Sequence, residues 1–241
     1  MAFALDRLLH LLRVGGLGDT IAQHKHAKNI GPQSRILPTI DIERLTNSIE
    51  PTIAEEEHAD GNVSVEELRC IAKLAQHFQP KSIFEIGTFD GRTTLNMALN
   101  APESHIWTLD LPRKQVHKTR FRIKKGDQTF VDKDQSGSRF LGTPQQAQIT
   151  QIYADSAGYD YADLNGTMDM VFIDGAHTYE YVLNDTEVAF KLLRDGNGVL
   201  LWHDYEWKEV IYALNQYFEN DARFKSLQHI EGTTLAILIV E

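Results

Sequence analysis

Cysteine is nearly missing from this chain, with Cys70 the only one in 241 residues. A lone thiol closes no intrachain disulfide and excludes thiolate-rich zinc and iron–sulfur sites, so the fold needs no oxidising compartment. Long apolar runs are missing too: no stretch approaches the roughly 18 residues of a membrane span. The start, Met1 to Arg13, is interrupted by Asp6, Arg7 and His10, and no small-residue cleavage site follows. It reads as an amphipathic helix rather than a signal peptide. Positive charge is scarce, with 24 Lys and Arg against 34 Asp and Glu and a net charge of −10. That balance disfavours nucleic acid as a partner. Internal repeats and low-complexity tracts are absent, and the default expectation is a cytoplasmic, soluble protein.

What is present is ordinary globular composition, 42% hydrophobic and 24% charged. Residues 1–60 are weakly patterned, punctuated by Pro32, Pro38 and Pro51, with a run of acids at Glu55, Glu56 and Glu57 that reads as solvated surface. His24 and His26 read as surface residues rather than a metal site. We treat residues 1–60 as an N-terminal extension, a lid or a dimer surface, and residues 61–241 as the main domain.

From residue 64 helix and strand signals alternate. Ser64 to Glu67 fits a capping box ahead of Leu68, Ile71, Leu74 and Ala75 at helical spacing, and Pro80 ends that helix. Strands are expected over 82–86, 105–109, 149–153, 168–173, 198–202 and 233–240, and helices over 93–99, 179–193 and 207–218. Such alternation predicts a mainly parallel sheet with helices on both faces. Four strands end in or beside an acid: Asp110, Asp155, Asp174 and Asp204. Open α/β sheets bind ligands outside the carboxyl ends of their strands, so these acids converge on one edge.

Glu85-Ile-Gly87-Thr-Phe-Asp-Gly91 joins a strand to a helix. Gly87 allows a turn with positive φ, and Gly91 allows close approach of backbone to a ligand. The dinucleotide fingerprint is not met, because the second glycine that admits a pyrophosphate is missing. Glu85 repels phosphate and suits a cation, so a ligand with a sulfonium and an amino group fits better than NAD. Asp110, at the next strand end, suits the two hydroxyls of a ribose, and Asp155 with Ser156 suits an adenine edge.

Gly61-Asn-Val-Ser-Val-Glu-Glu67, Phe84-Glu-Ile-Gly-Thr-Phe-Asp-Gly-Arg-Thr-Thr94, Phe172-Ile-Asp-Gly-Ala-His-Thr-Tyr-Glu-Tyr181 and Trp202-His-Asp-Tyr205 together carry a resemblance. Residues 61–241, apart from a middle segment, resemble the class I S-adenosylmethionine-dependent methyltransferases. More narrowly they resemble the branch of metal-dependent sugar and macrolide O-methyltransferases, some of which carry the label cephalosporin hydroxylase. The resemblance implies a Rossmann-like, seven-stranded, mainly parallel sheet with one antiparallel strand. It implies that Glu85, Gly87 and Gly91 hold the methionine end of the cofactor, Asp110 the ribose, and Asp155 and Ser156 the adenine, with Thr88 and Leu111 also among the cofactor-binding residues. Asp174 and Asp204 match metal-ligand positions, with Mg²⁺ or Mn²⁺ the expected ion. His203 departs from the acid expected there, which leaves its ligand role open. His177 matches a general-base histidine.

Plainer roles stand beside these. Asp174 could be only a helix N-cap, His177 only a polar loop residue, and His203 a packing residue. Residues 113–125 hold seven basic side chains and no acid. They open a polar insertion, 113–147, that could fold over the site and attract an anionic acceptor, or serve as a solvated face or homo-oligomer contact. The expected activity is methyl transfer to a hydroxyl of a sugar or glycosylated natural product. The alternatives are a non-haem iron oxygenase using the Asp and His cluster, and a non-catalytic S-adenosylmethionine-binding protein.

Overall fold

The computed structural model describes residues 30–241, except 56 and 58. The expected N-terminal helix, His24 and His26 lie outside the described residues. Among the described residues are eight strands: β1 (Thr39–Ile40), β2 (Ser82–Ile86), β3 (His105–Asp110), β4 (Ile149–Tyr153), β5 (Met170–Ile173), β6 (Gly198–Trp202), β7 (Gln228–Ile230) and β8 (Ala236–Val240). Six helices accompany them: α1 (Ile42–Thr46), α2 (Val65–Phe78), α3 (Arg92–Asn100), α4 (Lys125–Val131), α5 (Tyr179–Leu192) and α6 (Lys208–Asn220). The strands form one sheet in the order β1-β7-β8-β6-β5-β2-β3-β4. Only β8 runs against its neighbours β6 and β7. The expected doubly covered sheet with one antiparallel strand is therefore present, extended by β1, which pairs Thr39 with His229 at one edge.

Strand alternation divides the core into two layers. Phe84, Ile86, Val171, Ile173, Leu200 and Trp202 pack on one face with Leu183 and Leu214 from α5 and α6. Ile83, Ile106, Met170, Phe172 and Leu201 pack on the other with Leu68, Leu74 and Met97 from α2 and α3. The capping box forms as expected: the Ser64 N–H donates to Glu67 Oε2 and the Glu67 N–H to Ser64 Oγ. Residues before 61 are tied to α3 by two asparagine clasps. Asn96 and Asn100, one turn apart, each exchange a pair of side-chain hydrogen bonds with the backbone of Ala54 and Thr52. Among the described residues no helix is long and apolar enough to cross a membrane.

Chain order positions the site. The chain steps outward from β2 to β3 and β4, then returns to place β5 on the opposite side of β2. A crevice opens at such a reversal. Register sets its contents: Ile86 lies opposite both Leu109 and Ile173, and Ile173 opposite Trp202. The following residues, Gly87, Asp110, Asp174 and His203, therefore leave the sheet side by side.

Candidate active site

A cavity of about 540 Å³ occupies this edge. Gly87, Thr88, Asp110, Leu111, Asp155, Ser156, Asp174, His177, His203 and Asp204 all line it. Two of the expected cofactor residues do not. Glu85 lies within β2 on the face opposite Phe84 and Ile86, fully buried, and accepts from the Thr94 and Thr108 hydroxyls at 2.5 Å. Burial pushes its pKa up to about 8 despite those bonds, with Asp174 and Asp110 adding to the rise. Its role is therefore beneath the loop, tying α3 to the sheet, rather than facing a ligand. Gly91 sits against the insertion, where an added Cβ would come within 2.6 Å of the Phe140 ring.

At the cofactor end, the Asp110 Oδ2 accepts from the Ser136 hydroxyl and pairs with Lys133 Nζ at 2.7 Å. Asp155 accepts from the Tyr181 hydroxyl at 2.7 Å and from the Arg120 and Ala157 N–H groups. Thr88 shares a 2.6 Å bond with Thr108 and accepts from Gln151.

The other end is an acidic and imidazole cluster. His177 Nε2 lies 2.6 Å from Asp204 Oδ2, and its Nδ1 lies 3.1 Å from Asp127 Oδ1. Its ring stacks on Trp207, whose indole N–H donates to Asp204 Oδ1. His203 Nδ1 lies 3.0 Å from Asp174 and 3.1 Å from Asp204, while its Nε2 reaches Glu67 at 3.2 Å. Burial opposes a charge on His177, but the bonds to Asp127 and Asp204 outweigh it and push its pKa up to about 10. Burial likewise opposes charge on Glu67, yet His203 and Thr234 hold that carboxyl well below the usual range. Asp204 takes a left-handed backbone, φ 60°, which turns its carboxylate back toward both histidines. An Asp tolerates that conformation better than most residues, and such strain is concentrated at functional sites.

The donor chemistry fits a divalent cation. Asp174, His177 and Asp204 each offer a ligand atom within 4.8 Å of the others. Four carboxyl groups, Glu67, Asp127, Asp174 and Asp204, face two imidazoles, an acid-rich donor set of the kind a divalent cation takes. His177 is the imidazole gathered with the two acids in this set, while His203, the histidine expected as a ligand, also lies within 3.1 Å of both Asp174 and Asp204, and each ring meets carboxylates at both nitrogens.

Several residues in the site were not anticipated. Glu67 was read only as a cap, yet its Oε1 also accepts from the Thr234 N–H and hydroxyl. Trp207, three residues beyond Asp204, had a readable signal in an aromatic so close to a strand-end acid. Asp127 and Lys133 arrive from the insertion across long sequence distances and left none. The basic run itself is partly turned inward. Lys124 donates to the His177 carbonyl at 2.7 Å and pairs with Glu209 at 3.2 Å. Nor is Glu55 merely solvated: it pairs with Arg139 at 2.8 Å.

Comparison with known proteins gives the geometry a context. The family profile described as "Methyltransferase domain" matches residues 84–205. The fold is similar to an S-adenosylhomocysteine-bound methyltransferase, PaMTH1, of Podospora anserina, with TM-score 0.55 and 15% identity over 94% of this chain and 97% of that one. It is similar to the cofactor-bound Rv0187 of MTB, with TM-score 0.51 and 16% identity over 83% and 87% of the two chains. A methyltransferase of Geobacter sulfurreducens matches with TM-score 0.51 and 14% identity over 75% and 80%. No curated protein matches the sequence.

Proposed function

The chain belongs to the methyltransferase domain family and is an S-adenosylmethionine-dependent methyltransferase, and from that premise we propose that it methylates a hydroxyl oxygen of a small acceptor with the help of a divalent cation. One observation carries the reading. A single cavity joins Gly87, Asp110 and Asp155, suited to the cofactor, with Asp174, His177 and Asp204, suited to a cation and a proton transfer.

In the proposed reaction the acceptor oxygen attacks the methyl carbon. The new O–C bond forms as the C–S bond breaks, and the sulfonium becomes the neutral thioether. The hydroxyl proton passes to His177 Nε2, the ring atom that faces the acidic pair. Asp110 accepts hydrogen bonds from the ribose, and the Gly87 turn admits the methionine end. Asp174 and Asp204 would hold the cation. When bound, it lowers the pKa of the hydroxyl and opposes the carboxylate field around His177. Support for a sugar or glycosylated acceptor rests on the motif resemblance.

The testing experiment is a screen of hydroxylated acceptors, neutral and anionic sugars included, read by S-adenosylhomocysteine release with Mg²⁺ or Mn²⁺ present. Turnover of one acceptor class supports the proposal, and binding without any transfer removes it. Calorimetry tests the cofactor end by itself. Asp110→Ala should weaken S-adenosylmethionine and S-adenosylhomocysteine alike by about 1.5–3 kcal/mol, the loss expected for hydrogen bonds to a charged group. Unchanged affinity would move the ribose elsewhere.

A further inference from the structure

Apart from its Nε2 contact with Asp204 and its stacking on Trp207, His177 is held by the insertion. Its backbone N–H donates to Asp127 Oδ2 at 3.3 Å, its carbonyl accepts from Lys124 Nζ at 2.7 Å, and its ring Nδ1 meets Asp127 Oδ1 at 3.1 Å. Both grips come from one short stretch, Lys124 capping α4 and Asp127 in its first turn. Asp127 is buried, and both its oxygens engage the same residue. Lys124 is in turn held by Glu209, whose other oxygen accepts from the Tyr179 N–H at the start of α5. The histidine is thus pinned at three polar groups by a segment some fifty residues away in sequence. Its Nε2 is the ring nitrogen directed at Asp204.

We infer that Asp127 is a positioning residue for His177: with Lys124, it fixes the imidazole so that Nδ1 faces the insertion and Nε2 faces the reacting oxygen. The inference rests on His177 being the base proposed above. It makes α4 a working part of the site rather than a cover. A ring with free χ rotation samples several orientations, and a carboxylate on one nitrogen selects the face presented by the other. The alternative is that the contact merely docks the insertion.

The two are separable. Asp127→Ala should lower kcat about 10–100-fold, the range for partners that orient a functional histidine. Acceptor KM and cofactor affinity should stay unchanged, with turnover measured well below the lower melting temperature that the lost buried bonds leave. His177→Ala alone should cost about 10²–10⁴-fold in turnover, as for a positioned base. Added to His177→Ala, Asp127→Ala should cost nothing more, because its effect passes through the ring. Equal losses in both backgrounds would overturn the inference, as would a kcat loss that tracks lost stability.

A readout without turnover completes the test. In the metal-free protein, the ring resonance of His177, assigned by its disappearance in H177A, should shift or broaden in Asp127→Ala. It should stay in place in Asp134→Ala, a change at an exposed residue of the same insertion. Should Asp127→Ala fail to fold, Asp127→Asn keeps the volume and one acceptor and should still move the resonance. An unmoved resonance in a folded variant overturns the inference. Should no acceptor be methylated, the transfer reading fails, while the ring resonance still decides whether Asp127 positions His177.

Discussion

Chelating divalent cations is expected to abolish methyl transfer while leaving S-adenosylmethionine binding in place, and excess Mg²⁺ or Mn²⁺ should restore the rate. The expectation follows from the separation of the two ends of the cavity. Asp110 and Asp155 are engaged by the insertion and α5, whereas Asp174 and Asp204 share their contacts with the histidines. Removing a cation from the second group leaves the first untouched. An alcohol is a poor nucleophile without ionisation, and a bound cation supplies several kcal/mol of charge stabilisation.

Asp174→Asn and Asp204→Asn should each behave like the chelated enzyme. Asparagine keeps the volume, removes the charge, and at position 204 tolerates the left-handed backbone. The fold should therefore survive both changes, which circular dichroism and calorimetry with S-adenosylhomocysteine can verify. Full turnover in excess chelator would refute the cation site and leave His177 as the sole activator of the hydroxyl.

How much of this was readable beforehand depends on the range of the interactions. The strands at 82–86 and 198–202 appear at their expected bounds, because buried parallel strands are mostly apolar runs set between helical periods, and the half-exposed edge strand at 149–153 does so through its β-branched and aromatic residues. Strand-end acids were readable for the same reason: register forces residues after paired strands onto one edge. β1 and β7, of two and three residues, are too short to show a pattern, and their pairing depends on a neighbour some 190 residues away. α4, Lys-Gly-Asp-Gln-Thr-Phe-Val, has no apolar stripe, and its place is set by the bonds of Asp127 to His177 and the edge-on packing of Phe130 on Phe89. Asp127 was invisible on that account. Glu85 shows the converse limit. Its neighbourhood to the glycine loop was plain, but pleat alternation turned its side chain away from the cavity and beneath α3. Glu67 was correctly read at one oxygen, and the other awaited the approach of Thr234.

Gly87→Ala is expected to be the most damaging glycine-to-alanine change among the described residues. The sequence pointed to this glycine as a sharp turn with positive φ. The structure gives a second and stronger constraint. Its φ is +100°, and an added Cβ would lie 2.0 Å from the Asp174 carbonyl oxygen and 2.7 Å from its carbon. Those are backbone atoms, so no side-chain rotation relieves the clash. Nor can the strands part freely, since the Gly87 N–H donates to the Leu109 carbonyl and the Asp174 N–H to the Ile86 carbonyl, both at 2.8 Å. Overpacking and a left-handed backbone together should cost about 2–5 kcal/mol. At about 2–4 °C per kcal/mol for a domain of this size, the melting temperature falls by several degrees at least. Because the displaced atom belongs to Asp174, the same methyl should disturb the cofactor turn and the cation end together, so transfer should fall further than stability alone explains. Gly126→Ala is the control, for nothing lies within 4 Å of a Cβ built there. Wild-type melting and turnover in Gly87→Ala would mean that β2 and β5 can separate at their ends, and that the crossing of Gly87 over Asp174 does not hold the two halves of the site together.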